Sequence, residues 1–196
     1  GKDYLLSHYD ESVLAPAKVV VSRLGTADPG HPQLRSTRTA WPGGEPLRVT
    51  TCSAVIPVKN VAAVVPALEE LAAIGPVEWV HLGGGELEGE LRTLAEEAMA
   101  RQPDLQISLP GVVTHDYVME HLATADPDVF VNVSDSEGVP VSVMEALSFG
   151  IPIVATNVGG TGEIVGRDLA SGILVPPRPE PKQLASAIRE VVARRS

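Results

Sequence analysis

From Leu47 to Ala193 the chain alternates between short, continuous apolar runs and longer stretches with an apolar residue at every third or fourth position. The runs predict strands at Leu47–Ser53, Val77–Leu82, Leu105–Leu109, Val129–Val133, Ile151–Ala155 and Ile173–Val175. The stretches between them predict helices at about Val61–Ile74, Leu87–Arg101, His115–Ala123, Val141–Phe149, Gly160–Val165 and Pro181–Ala193. Strands that are apolar on both faces belong to a parallel sheet covered by helices on both sides. The helices carry matching stripes, Leu87, Leu91, Leu94 and Ala98 on one and Leu184, Ile188, Val191 and Val192 on another. Pro66 inside the first helix predicts a kink, or a helix whose regular part starts there. Repeated strand–helix units of this kind make an α/β, Rossmann-like doubly wound parallel sheet, with its ligand crevice at the carboxyl ends of the strands. Residues 1–45 have another texture: Lys18–Ser22 is their one strand-like run, and Gly25–Pro46 is crowded with Gly, Pro, Ser and Thr. They read as a connecting segment with one strand, ahead of a domain at 46–196.

A length of 196 residues suits one full domain with extra chain attached. At 44% hydrophobic and 20% charged residues it is too apolar to be disordered. A net charge of −10, with no basic cluster before Arg194 and Arg195, argues against a nucleic-acid partner. No apolar run approaches the ~18 residues of a membrane span, and Lys2, Asp3, His8 and Asp10 replace a signal-peptide core at the start, so the expected location is cytoplasmic. The single cysteine, Cys52, excludes an internal disulfide and a cysteine zinc site and reads as a small buried thiol. No two of the five histidines are spaced i, i+4 as a helical metal site requires, so they read as surface or packing residues. The chain starts with Gly and not Met, as a piece of a longer protein or a chain carrying a cloning scar would.

The candidate chemistry lies in the strand-to-helix loops. Glu137 falls after the fourth strand, and Glu145 lies in about the second turn of the following helix, between Met144 and Ala146. A glutamate on so apolar an element needs donors, and ligand hydroxyls would serve. Pro140 suits the first position of that helix, leaving the amides of Val141 and Ser142 pointing outward at the positive end of the helix dipole. Gly159-Gly160 and Gly83-Gly84-Gly85 form further turns at corresponding strand ends. Asp126-Pro127-Asp128 has a metal-binding spacing but precedes a strand, which puts it at the amino edge, away from the crevice.

These residues resemble the C-terminal, donor-binding half of GT-B glycosyltransferases of the large retaining group called family 4, or group 1. The resemblance rests on Ser134, Glu137, Gly138, Glu145 and Ala146, followed in register by Gly150, Pro152, Val154, Ala155, Thr156, Gly159, Gly160, Glu163, Ile164 and Val165. Upstream, Val55-Ile-Pro-Val-Lys59 resembles the family's phosphate-binding segment, and the turn at Gly83–Gly85 its glycine loop. The resemblance implies that Glu145 accepts hydrogen bonds from both ribose hydroxyls, that Glu137 holds a hydroxyl of the transferred sugar, and that Lys59 balances charge on the departing nucleoside diphosphate. Gly84, Gly138, Val139, Val141 and Ser142 would line the donor site, and Val113 would border the base. It further implies metal-independent, retaining transfer of a hexose-type sugar from a UDP-, GDP- or ADP-sugar to an acceptor hydroxyl, with no cofactor, in polysaccharide assembly. The partner would be an N-terminal acceptor domain of the same protein, of which residues 1–22 are the end. The full-length enzyme could touch a membrane peripherally, and the fragment alone would bind donor weakly and transfer little. Two departures stand out: Ala54 replaces the arginine usually found five residues before the lysine, and Pro140 stands where many relatives have glycine.

Two other readings compete. A non-catalytic relative that has kept the fold would explain Ala54. A nicotinamide-binding oxidoreductase domain could be built on His81-Leu-Gly-Gly-Gly-Glu-Leu-Glu88, but Glu88 occupies the third fingerprint glycine, and Glu86, Glu88 and Glu90 would repel a pyrophosphate.

Overall fold

The computed structural model of the chain describes residues 25–26, 41–166 and 171–194. The expected strand at Lys18–Ser22 and most of the connecting segment lie outside the described residues.

Six strands, β1 (Leu47–Cys52), β2 (Val77–Leu82), β3 (Leu105–Gly111), β4 (Val129–Asn132), β5 (Ile153–Thr156) and β6 (Gly172–Val175), form one sheet in the order 3-2-1-4-5-6. All five pairings are parallel, the arrangement of a Rossmann-like doubly wound fold. The helices are α1 (Val64–Ala72), α2 (Glu88–Arg101), α3 (His115–Thr124), α4 (Val141–Ser148), α5 (Thr161–Ile164) and α6 (Pro181–Ala193).

Side-chain alternation along each strand sorts the helices onto two faces. Val129 and Val131 of β4 and Val154 of β5 belong to one apolar cluster, built with α1, α2 and α6 through residues such as Leu68, Leu91 and Ile188. Phe130 of β4 and Ile153 and Ala155 of β5 face the other way, against Val118 and Leu122 of α3 and Val143 and Ala146 of α4. The stripes expected on α2 and α6 are the ones that face the core.

The predicted helix at Val61–Ile74 is resolved into two 3-10 turns, Pro57–Lys59 and Val61–Ala63, and the regular helix α1. Pro66 is the third residue of α1, where its missing N–H has no partner to lose, so the helix starts there and does not kink. Strand β3 runs two residues further than its apolar run, through Pro110. Proline is tolerated because β3 is an edge strand, and the register against β2 shifts between Val80 and Leu82 beside it. Asp126 and Asp128 lie at the amino edge of the sheet as expected, where Asp128 Oδ2 accepts the Arg48 backbone N–H at the start of β1.

Candidate functional site

The strand order reverses between β1 and β4, because β1 is followed by a strand on one side and β4 by a strand on the other. Ligands of open α/β sheets bind at the carboxyl ends of such a pair. The loop after β1 ends in the 3-10 turn Pro57–Lys59, closed by Asn60 in the left-handed conformation at φ 50°. The loop after β4 carries Ser134 to Pro140. The Asp135 amide donates to the Val58 carbonyl at 2.8 Å and joins the two loops.

Across this junction the ammonium of Lys59 lies 2.8 Å from both carboxylate oxygens of Glu137. Glu137 Oε1 also accepts from Ser134 Oγ at 2.6 Å and Asn132 Nδ2 at 3.2 Å. Burial alone would raise the Glu137 carboxyl. The hydrogen bonds from Lys59, Ser134 and Asn132 and the Lys59 charge outweigh it and hold the group below the ordinary carboxylate value. Lys59 and Glu137 are 78 residues apart in sequence and meet across this junction.

Glu145 sits in the second turn of α4 and is 8% exposed. Its Oε1 lies 2.8 Å from Nε2 of His115, the first residue of α3. A carboxylate only accepts, so the imidazole donates. Burial pushes the neighbouring Cys52 thiol up to about 11, and the Glu145 charge adds to the rise. Of the three charged residues singled out from sequence, Lys59 and Glu137 thus meet, and Glu145 lies close enough to Cys52, at the end of β1, for its charge to act on the thiol.

The remaining predicted site residues fall around the same rim. Gly138 is exposed and its carbonyl accepts the Gly160 amide at 2.6 Å, while Val139 and Ser142 are half-buried and Val141 is exposed. Pro140 is the cap of α4, one residue before the first helical position expected of it, so the first-turn amides of Val141 and Ser142 have no acceptor within the helix. Gly159 has φ 51°, and a Cβ on it would overlap the Glu137 carbonyl, so only glycine lets the loop after β5 close on the Glu137 loop. The turn at Gly83–Gly85 does the same against the loop after β1. The Gly84 carbonyl accepts the Val55 amide at 3.0 Å, and a Cβ on Gly85 would meet the Val55 carbonyl at 2.5 Å. Val113 packs against the second apolar cluster, whereas its neighbour Val112 is the exposed one.

Sequence reasoning missed two features. His115 read as a surface or packing residue, and only the placement of α3 beside α4 on one face brings it to Glu145. Arg178, after β6, binds both oxygens of Asp135 at 2.8 to 3.2 Å and braces the Glu137 loop from its other side. No spacing in the sequence marks either contact.

The profile of the family described as Glycosyl transferases group 1 matches residues 46–194. WcaL of Salmonella typhimurium strain LT2, named for colanic acid biosynthesis as a glycosyltransferase, is 34% identical over 166 residues, covering 82% of this chain and 39% of WcaL. The amylovoran biosynthesis glycosyltransferase AmsK of Erwinia amylovora is 28% identical over 139 residues, covering 67% of this chain and 33% of AmsK. The chain thus spans under two fifths of the length of these relatives. Among solved structures, the catalytic domain of cholesterol-alpha-glucosyltransferase from Helicobacter pylori superposes with a TM-score of 0.64 at 20% identity, over 77% of this chain and 89% of that one. Anabaena Alr3699/HepE, solved with UDP and glucose, gives 0.62 at 22% identity over 75% and 39%. The fold is that of one Rossmann-like half of a GT-B glycosyltransferase.

Proposed function

The chain belongs to the glycosyl transferases group 1 family, and from that premise we propose that residues 46–194 bind a nucleoside-diphosphate sugar at the β1–β4 crevice, as the donor side of a retaining hexosyl transfer to an acceptor hydroxyl. The observation that carries this reading is the meeting of Lys59, from the loop after β1, with Glu137, from the loop after β4, ahead of the helix that holds the nearly buried Glu145.

Each group has capacity for the part assigned to it. The Lys59 ammonium has three N–H donors and gives Glu137 two contacts, which leaves one for a diphosphate oxygen. When the bond between the anomeric carbon and the phosphate oxygen breaks, negative charge grows on the leaving diphosphate, and a fixed ammonium there favours the transition state over the ground state. Glu137 is already saturated on Oε1, so a sugar hydroxyl reaching it exchanges with a resident donor or binds Oε2. Among the described residues, Glu145 keeps an oxygen free of side-chain donors for the ribose diol. The position of the usual arginine is Ala54, which is exposed and uncharged, so one cation serves where relatives present two. Donor binding by this chain is accordingly weak, and the acceptor and part of the catalytic machinery belong to the N-terminal half that such enzymes carry.

Thermal unfolding of the chain with UDP-, GDP- and ADP-glucose tests the reading. A ligand bound only by the folded state stabilises it by about 2.7 kcal/mol at 100 times its Kd. One of the three raises the midpoint by several degrees. No rise with any nucleotide sugar overturns the proposal in favour of a non-catalytic relative, and a rise with NAD alone favours the oxidoreductase reading.

A further inference from the structure

Resting on the assignment of Glu145 to the ribose diol, we infer that His115 is a positioning residue for that carboxylate, and that it sets how strongly the chain prefers a ribose to a pentose without its hydroxyls. The two glutamates of the site are held in opposite ways. Glu137 meets Lys59, Ser134 and Asn132 and is fixed and neutralised by its own loops. The Glu145 carboxylate receives, among the described residues, a single side-chain hydrogen bond, from His115 Nε2 at 2.8 Å. The glutamate side chain is only 11% exposed and the imidazole is 67% exposed, so the histidine reaches from α3 over a carboxylate to which the other described residues give no side-chain donor.

A carboxylate turns easily about its last torsion, which has a broad, two-fold profile. Binding a vicinal diol requires one orientation of its plane, because both hydroxyls must find lone pairs at once. The bond to Oε1 fixes that plane before the ligand arrives and leaves Oε2 and one lone pair of Oε1 open. Holding a group in its bound orientation in advance raises affinity by removing an ordering cost. The neutral Nε2–H tautomer of the imidazole suffices for this. A plain strut between α3 and α4 would instead affect folding without distinguishing one ligand from another.

The experiment is isothermal titration of the full chain and its His115→Ala and His115→Phe variants with UDP, GDP and ADP, each beside its 2′,3′-dideoxy counterpart. The phenylalanine keeps a ring in place and removes the donor. The expected result is a loss of about tenfold in affinity for the ribonucleoside diphosphate in both variants, with binding of the dideoxy form unchanged, since a hydrogen bond to a charged group is of that order. A ratio of ribose to dideoxyribose affinity equal to that of the unmodified chain, or an equal loss for both ligands, overturns the role of His115 while leaving donor binding intact. Failure of the unmodified chain to bind any of the three diphosphates overturns the donor-site reading itself.

Discussion

Replacing Lys59 with Met removes the ammonium and keeps most of the aliphatic stem, so its effect isolates the charge. What remains is a Glu137 side chain 7% exposed, with Ser134 and Asn132 still donating but no counter-charge. A fully exposed ion pair is worth about 0 to 1 kcal/mol, and stripping one partner from a fully buried pair costs about 3 to 5 kcal/mol. Lys59 is itself 25% exposed and two neutral donors survive, which places the expected loss near 2 kcal/mol, or about 4 to 8 °C in the thermal midpoint of a domain of this size. Glu137→Gln costs less, about 1 kcal/mol, because the freed ammonium can turn to water. The double variant loses less than the sum of the two, by about 1 to 2 kcal/mol of coupling. The folded-state pKa of Glu137 is lowered, so the stabilisation is present above the ordinary carboxylate value of 4.5 and disappears as pH falls through the folded value. Urea unfolding of the three variants and the unmodified chain at pH 7 and at pH 3 measures all of this. Additive losses at pH 7, or a Lys59→Met deficit that persists undiminished at pH 3, would show that the pair does not hold the crevice together.

Two further outcomes follow from the buried His81 and the half-buried Cys52. Burial pushes His81 down to about 4, against the opposing influence of the Ser53 backbone and the Glu88 charge, so between pH 6.5 and 4 the unfolded chain binds a proton that the folded chain does not. Stability therefore falls with pH across that window, by about 2 kcal/mol from this group by pH 5, and urea unfolding of His81→Gln should show that part of the slope gone; an unchanged slope refutes the assignment. The Cys52 thiol, raised to about 11, stays protonated at pH 8, where its reaction with a disulfide reagent should be at least about 100-fold slower than that of the urea-unfolded chain. Comparable rates in the two states would show the thiol to be neither buried nor beside a carboxylate.

The order of elements was legible because a doubly covered parallel sheet writes itself as apolar runs, and α6 falls on the residues its periodicity marks, Pro181–Ala193. Errors came where local signals compete. Apolar spacing continues through Val61–Ala63 although the backbone there makes a 3-10 turn, and the apolar run at Leu105–Leu109 stops short of a proline that an edge strand can keep. The site divides along the same line. Lys59, Glu137 and Glu145 could be assigned to one crevice because each follows a strand, and every strand of a parallel sheet ends on the same side. What a glycine does could not be read in this way: Gly159 and the turn at Gly83–Gly85 look like ligand loops, yet their lack of a side chain is required by the neighbouring loop backbones that press against them. That close packing also holds the loops that carry Lys59 and Glu137 in place. His115 was invisible because its partner lies 30 residues away on another helix, and the contact exists only because the β3-to-β4 crossover returns α3 to the face that α4 covers. A side chain whose role depends on which helices share a face carries no mark in its own neighbourhood of sequence, and a residue such as His115 is therefore found only after the crossovers are known.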